Sequence, residues 1–286
     1  MSDSRRTVLI TGCSDGGLGA ALALSFHRAG LHVYATARDT SKMTSLKEAG
    51  IQTLSLDVLS QISIDTCVSK LSHLDILVNN AGRGLIMSIS DLDISQARNL
   101  FDLNVWAPIA VTQAFLPLLL KSKGIVANNT SVSSTMGMPF QGTYSASKAA
   151  FAMFSDALRL EMQPFGVTVI DLKTAAVQSN FFENHRKQIG SSLPEDSIYA
   201  PAKAAAERIL SGGPMSSTGM PSSLWADQVV KDLLKNKPSP KIWRGAQATL
   251  SWLGTWLPFG MMDGEIKKVV GFDVVEKELR KQEKKG

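Results

Sequence analysis

Cysteine is nearly absent: the 286 residues include two, Cys13 and Cys67, with no CxxC spacing around either. That excludes a disulfide framework and a thiolate zinc site, and points to a reducing compartment. Histidine is almost as rare, and His27, His32, His73 and His185 lack metal-ligand spacing; they read as structural or solvent-facing. The opening stretch MSDSRRTVLI contains an acid and only a short apolar run, so it lacks the pattern of a secretory signal. Also missing is a basic module with interleaved aromatics. The formal charge is +5, but much of the excess lies in the tail EIKKVVGFDVVEKELRKQEKKG, which argues against a nucleic-acid partner. A membrane surface or an anionic small substrate suits this mild bias better.

What the chain does contain is rhythm. TVLIT (7–11), HVYATA (32–37), IQTLSLDV (51–58), LDILVNN (74–80), GIVANNTS (124–131) and GVTVIDLK (166–173) read as strands, with helical periods between them. The first helix, 18–30, is stopped by Gly30, and long helices are expected over 97–121 and 143–163. Strand and helix in alternation imply parallel pairing, hence an α/β fold: a Rossmann-type doubly wound parallel sheet in one domain. Past residue 180 the rhythm breaks. SGGPMSSTGMPSS (211–223) reads as a mobile loop, a helix follows over 225–234, and PKIWRG (240–245) reads as a last edge strand. The expected organisation is a catalytic domain over 1–244, with a substrate loop at 178–223, and a C-terminal apolar extension over 245–286.

TGCSDGGLG (11–19) follows the first strand and opens the first helix, where a dinucleotide pyrophosphate sits in this architecture. Gly12, Gly17 and Gly19 permit the tight turn and the close approach of backbone to phosphate. Ser14, Leu18 and the first amides of the helix border the same place. The second strand ends at Ala37, followed by Arg38 rather than a carboxylate; Asp39 comes one position later. An arginine there meets the 2′-phosphate of NADPH, whereas NAD asks for an acid.

GTYSASKAAF (142–151) places Tyr144 and Lys148 four apart, on one face of a helix. Neither side chain is a useful proton donor or acceptor at neutral pH when unperturbed. An ammonium beside a phenol favours the phenolate, so the expectation is a tyrosine of lowered pKa serving as general acid. Cys13 reads as a small packing residue, since no histidine base stands beside it.

TGxxxxGxG, NNAG (79–82), Asn104, Thr130–Ser131 and YSASK (144–148) occur in order, and together they resemble the short-chain dehydrogenase/reductase family over residues 5–185. The glycine loop departs from the common pattern by one extra residue between its first two glycines. The resemblance implies that Ser131 holds the substrate oxygen and that Asn104 bends its helix and holds a water in a proton relay. It implies that Asp57, with Val58, meets the adenine, that Asn80, Ala81 and Gly82 pass close to the ribose, and that Lys148 holds the nicotinamide ribose. Where the family has a proline-glycine pair and then a threonine, this chain has Thr174, Ala175 and Ser179, with Val177 between them to meet the carboxamide.

The resemblance extends to a fungal branch that includes NADPH-dependent 1-acyldihydroxyacetone-phosphate reductase. It therefore implies a ketone substrate of glycerolipid synthesis. His185 and Arg186, by their position at the substrate loop, are expected to meet a substrate phosphate. A ketoreductase acting on a polyketide or other secondary metabolite, and a non-catalytic NADPH-binding scaffold, are the alternatives. The uncharged run 245–262 holds Trp252, Trp256, Phe259, Met261 and Met262 and precedes Lys267–Lys268. It suits a peripheral membrane contact, and equally a pocket cap or an oligomer interface. The expected location is cytoplasmic, peripheral on endoplasmic reticulum or lipid droplet, and the expected assembly is a homo-oligomer.

Overall fold

A computed structural model describes residues 5–213, 215 and 218–284. Seven strands form one parallel sheet in the order β3-β2-β1-β4-β5-β6-β7. They are β1 (Thr7–Thr11), β2 (His32–Ala37), β3 (Gln52–Ser55), β4 (Ile76–Asn79), β5 (Ile125–Asn129), β6 (Thr168–Thr174) and β7 (Lys241–Arg244). The strand order reverses between β1 and β4, which opens a crevice at the carboxyl ends of the strands, where ligands bind in sheets of this kind.

Alternation along each strand builds two cores. Val8 and Ile10 of β1, Ile76 and Val78 of β4, and Ile170 and Leu172 of β6 face α1 (Leu18–Arg28) and α9 (Ser222–Leu233), which carries the fully buried Trp225. Leu9, Leu77, Val126 and Val169 face the other way, onto α3 (Gln61–Val68) and α5 (Ala107–Ser122), whose Val111, Phe115 and Leu119 are fully buried. Each such side chain contributes about 1.5–3 kcal/mol by leaving water.

Three expectations change. The third strand stops at Ser55 rather than 58: Leu56 still bonds Ala37, but Asp57 then turns back, its N–H on the Ser63 hydroxyl and its carboxylate accepting from Leu59 N–H. The helix expected over 97–121 is α4 (Ile94–Phe101), a π-helical turn at Asp102–Trp106, and α5. The expected loop at 211–223 is partly laddered, since Met220 bonds Ala176 and Gln178; residues 214, 216 and 217 lie outside the described residues.

The remaining helices are α2 (Thr44–Glu48), α6 (Gly142–Met162), α7 (Phe181–Ile189), α8 (Lys203–Leu210), α10 (Ala248–Gly254), α11 (Asp263–Val270) and α12 (Phe272–Glu283). A third, smaller core joins Ile86, Phe140, Leu193 and Ile209 to Val275 of α12. The C-terminal segment thus packs back onto the region after β6 instead of leaving the fold.

Candidate active site

The glycine loop is built by close approach. Gly12 has φ +75°, and a Cβ there would lie 2.8 Å from Ala81 Cα. A Cβ on Gly19 would lie 2.4 Å from the Gly12 carbonyl oxygen. Gly16, within the lengthened stretch between Gly12 and Gly17, has φ +76° and sits under Asn180, whose N–H bonds its carbonyl at 3.3 Å while Nδ2 bonds the Asp15 carbonyl at 3.2 Å. This stretch therefore forms a seat for the chain leading into α7. Cys13 is buried, its thiol directed to the Ile10 carbonyl and pushed up to about 12 by burial, so it packs and does not react.

Asn80 braces this loop. Its Nδ2 donates to the carbonyls of Thr11 and Gly12, and its Oδ1 accepts from Asn129 Nδ2 at 2.9 Å. With the side chain spent on scaffold, only backbone atoms of Asn80 remain for a ribose.

At the end of β2 the two charges have different fates. Asp39 caps the following turn, its Oδ1 accepting from Ser41 N–H and hydroxyl at 2.9 and 2.6 Å, and these bonds hold its carboxyl below the usual range. Arg38 and Lys42 have no ion pair or side-chain hydrogen bond among the described residues, and both border the cleft. Lys42 is not singled out by the sequence, because only the turn capped by Asp39 brings it to the cleft that Arg38 also borders.

Ser131 follows β5 and caps a short turn through Ser133 N–H at 3.1 Å. Tyr144, in the first turn of α6, borders the same cleft, and the Ser131 side chain acts to lower its pKa. The Tyr144 ring meets Phe181 edge-on at 5.4 Å. Lys148, buried one turn further along α6, donates to the Asn129 carbonyl at 2.8 Å.

The expected lowering of the tyrosine pKa does not appear. Burial pushes Tyr144 up to about 12, with the Ser131 hydrogen bond opposing, and burial brings Lys148 down to about 8, with Asp171 opposing and Lys173 reinforcing. Desolvation outweighs the i,i+4 relationship because the ammonium is turned to a backbone carbonyl rather than to the phenol. A tyrosine held in its protonated form across the neutral range is nonetheless in the state a proton donor requires.

Asn104 sits in the π-helical turn, the bend expected of it, but its side chain does not reach the cleft. Its Nδ2 bonds the Arg83 carbonyl and the Ser147 hydroxyl, and its Oδ1 accepts from Arg83 N–H, so it ties the segment after β4 to α6. Gly19 likewise lies beneath the cleft rather than in its wall. The other predicted residues, Gly12, Ser14, Gly17, Leu18, Arg38, Asp57, Val58, Asn80, Ala81, Gly82, Ser131, Tyr144, Lys148, Val177 and Ser179, all border one continuous cleft of about 1950 Å³. Thr174 and Ala175, standing where a proline-glycine pair was expected, are held by Thr174 Oγ1 on Asn129 Oδ1 at 2.6 Å and Ala175 N–H on the Arg244 carbonyl.

The same cleft is also lined by Met136, Met138, Phe181 and Phe182 and by Leu250, Met262, Ile266 and Val269. His185 borders it and is 3% exposed, with neither ring nitrogen in a hydrogen bond of ordinary geometry. Burial holds its imidazole below the usual value, the Gly84 backbone opposing. Arg186 turns away to the Ser211 carbonyl and is outside the cleft, which corrects its expected partnership with His185. Of the other histidines, His27 is exposed, His32 contacts Gln52 and His73 pairs with Asp75.

The model of the short chain dehydrogenase family matches residues 6–190. A short-chain dehydrogenase/reductase of Pestalotiopsis microspora is 54% identical over 280 residues, covering 98% of this chain and 99% of that protein. The NADPH-dependent 1-acyldihydroxyacetone phosphate reductase of Schizosaccharomyces pombe is 32% identical over 284 residues, covering 94% and 95%. The crystal structure of a short-chain dehydrogenase from Streptomyces avermitilis, 27% identical, superposes with a TM-score of 0.75 over 96% of this chain and 98% of the other.

Proposed function

The chain belongs to the short-chain dehydrogenase family, and on that premise we propose that it is an NADPH-dependent reductase of a bulky, largely apolar ketone. The observation that carries this is that Ser131, Tyr144 and Lys148 border one cleft continuous with the glycine loop. NADPH fits the residues present: positions 12 and 19 admit no Cβ, Arg38 and Lys42 are uncommitted, and the nearest acid, Asp39, is engaged elsewhere. The Schizosaccharomyces pombe relative is also named as NADPH-dependent.

When bound, the reduced nicotinamide supplies the hydride to the carbonyl carbon. Ser131 donates a hydrogen bond to the carbonyl oxygen, where negative charge grows, and Tyr144 gives that oxygen its proton. The phenolate left behind lies one helical turn from the Lys148 ammonium. Phe181 excludes water from the ring edge of Tyr144.

The substrate end supports a ketone that also carries a hydroxyl. A neutral imidazole offers one donor and one acceptor, which a hydroxyl complements, and His185 lies one turn along α7 from Phe181. A second reading, reduction of 1-acyldihydroxyacetone phosphate, is favoured by the apolar walls and the 32%-identical relative. Purified protein is given NADPH and matched ketones, hydroxylated aromatic against 1-palmitoyl-dihydroxyacetone phosphate, with Tyr144→Phe as control. Turnover confined to the acyl phosphate selects the second reading; no turnover on any ketone overturns the reductase and returns the protein to a binding role.

The same reading extends to the C-terminal extension, residues 245–286. Leu250, Met262, Ile266 and Val269 face the cleft, while Trp252, Trp256, Phe259 and Met261 face outward, Trp256 being 74% exposed. This outer face is read as the side that meets a lipid surface, at a peripheral cytoplasmic location. Flotation with phosphatidylcholine vesicles tests it: Trp256→Ser with Phe259→Ser should abolish co-flotation, and a wild-type protein that does not float removes the reading.

A further inference from the structure

β6 runs through the sheet with an acid and a base on one face, Asp171 and Lys173, two residues apart. Their side chains are 2% and 4% exposed and pair at 2.8 Å. Burying two charges is costly, several kcal/mol per ion, and a well-packed apolar pair in their place is often as stable or more so. Stability alone therefore does not account for them.

The remaining side-chain hydrogen bonds that the two make both lead to one short segment. The Thr130 hydroxyl donates to Asp171 Oδ1. Lys173 Nζ donates to the Ser134 hydroxyl at 2.7 Å, and Ser134 in turn donates to the Ser131 carbonyl, through its hydroxyl and through its N–H at 3.0 Å. Thr130 and Ser134 are the two ends of the turn that presents Ser131. Neither Asp171 nor Lys173 borders the cleft, although Thr130, Ser131 and Ser133 do.

We propose that the buried Asp171–Lys173 pair is a clasp: it grips the Thr130–Ser134 turn at both ends and sets the Ser131 hydroxyl against that of Tyr144. The two are positioning residues, acting on the reaction through Ser131 without touching substrate. The proposal rests on the assignment of Ser131 as the group that holds the substrate oxygen.

The pair also explains why the clasp is ionic. A neutral strut of serine or threonine length would not span from β6 to both ends of the turn, whereas a lysine reaches across its strand to Ser134 while the shorter carboxylate meets Thr130. The opposite charges then cancel where they would otherwise disturb Lys148, on which Asp171 and Lys173 act in opposite directions.

The test replaces both charges with apolar residues of similar length, Asp171→Leu with Lys173→Met, so that no lone charge is left buried. Turnover of a reducible ketone and NADPH affinity, by fluorescence titration, are measured on the folded protein. The clasp predicts a loss in kcat on the order of 100-fold, with NADPH affinity and the ketone KM within about threefold of wild type, since a displacement of an ångström in a reacting group costs that much.

Ser134→Ala, which removes the link and leaves the charges paired, should lower kcat about 10-fold, a smaller misplacement by the same reasoning, and Ser134→Thr should restore it. If the double variant does not fold, the Ser134 pair decides. A folded double variant, or a Ser134→Ala variant, with wild-type kcat overturns the clasp. Ser131→Ala run alongside separates the two ideas: loss there but not in the clasp variants overturns the clasp alone, and no loss in any of them overturns the role given to Ser131.

Discussion

The ammonium of Lys148 lies 2.8 Å from the carbonyl oxygen of Asn129, and Asn129 in turn holds Asn80 and Thr174 through its side-chain amide. One residue at the end of β5 thereby joins α6, the residue after β4 that braces the glycine loop, and the end of β6. The variants below separate what each of these parts does.

Tyr144→Phe should lower kcat by about 10²–10⁴-fold, the usual contribution of a positioned acid, while NADPH affinity stays within a factor of two. Loss of NADPH binding in a fluorescence titration would instead make the phenol a structural group.

Arg38→Asp with Lys42→Ala should reduce the NADPH-to-NADH ratio of kcat/KM by about 10- to 100-fold, the worth of charge-assisted hydrogen bonds to the 2′-phosphate. Steady-state kinetics with the two cofactors reads this directly. An unchanged ratio would remove both cations from the phosphate site.

The stability of the cofactor-free protein should rise between pH 8 and pH 10.5 on account of Lys148. Its folded pKa is about 8 against 10.5 for the free side chain, so in this window the unfolded chain binds a proton that the folded chain does not, and unfolding becomes costlier with pH. Urea unfolding at the two ends of the window should show the increment in wild type and its loss in Lys148→Met. Tyr144 acts in the opposite sense above pH 10, equally in both proteins.

Gly19→Ala should weaken NADPH binding at least about 10-fold and lower the melting temperature, because its Cβ would sit 2.4 Å from a backbone oxygen that cannot move without opening the glycine loop. Calorimetry with and without NADPH distinguishes the two effects.

Much of this was legible in the chain because it is local. The strands announce themselves by short apolar runs, and the glycine loop, Asn104, Ser131, Tyr144 and Lys148 stand in strings whose spacing survives folding. Burial and reach were not legible. Lys148 was expected to depress the pKa of Tyr144 from its place four residues away, but the direction of its side chain depends on a carbonyl nineteen residues earlier in the chain. Asp171 and Lys173 lie in the strand read over 166–173, and only the sheet shows that both are buried and what they grip. Arg186 looked like a partner of His185, yet on α7 adjacent residues point in different directions. The one available signal for the clasp was a pair of opposite charges inside an otherwise apolar strand, VIDLKT.

The chain between Ala175 and Phe181 crosses over the glycine loop, with Asn180 bonded to both Asp15 and Gly16, and ends at the ring against Tyr144. A dinucleotide seated on that loop would press on the same strap that walls the substrate compartment. The strap thus touches the seat of one ligand and the wall of the other, so a dinucleotide that ordered it would shape the room for the second. On the proposed reading the expected order is dinucleotide first and out last, which product inhibition by NADP+ against NADPH and against the ketone checks: a pattern of random addition would separate the two compartments.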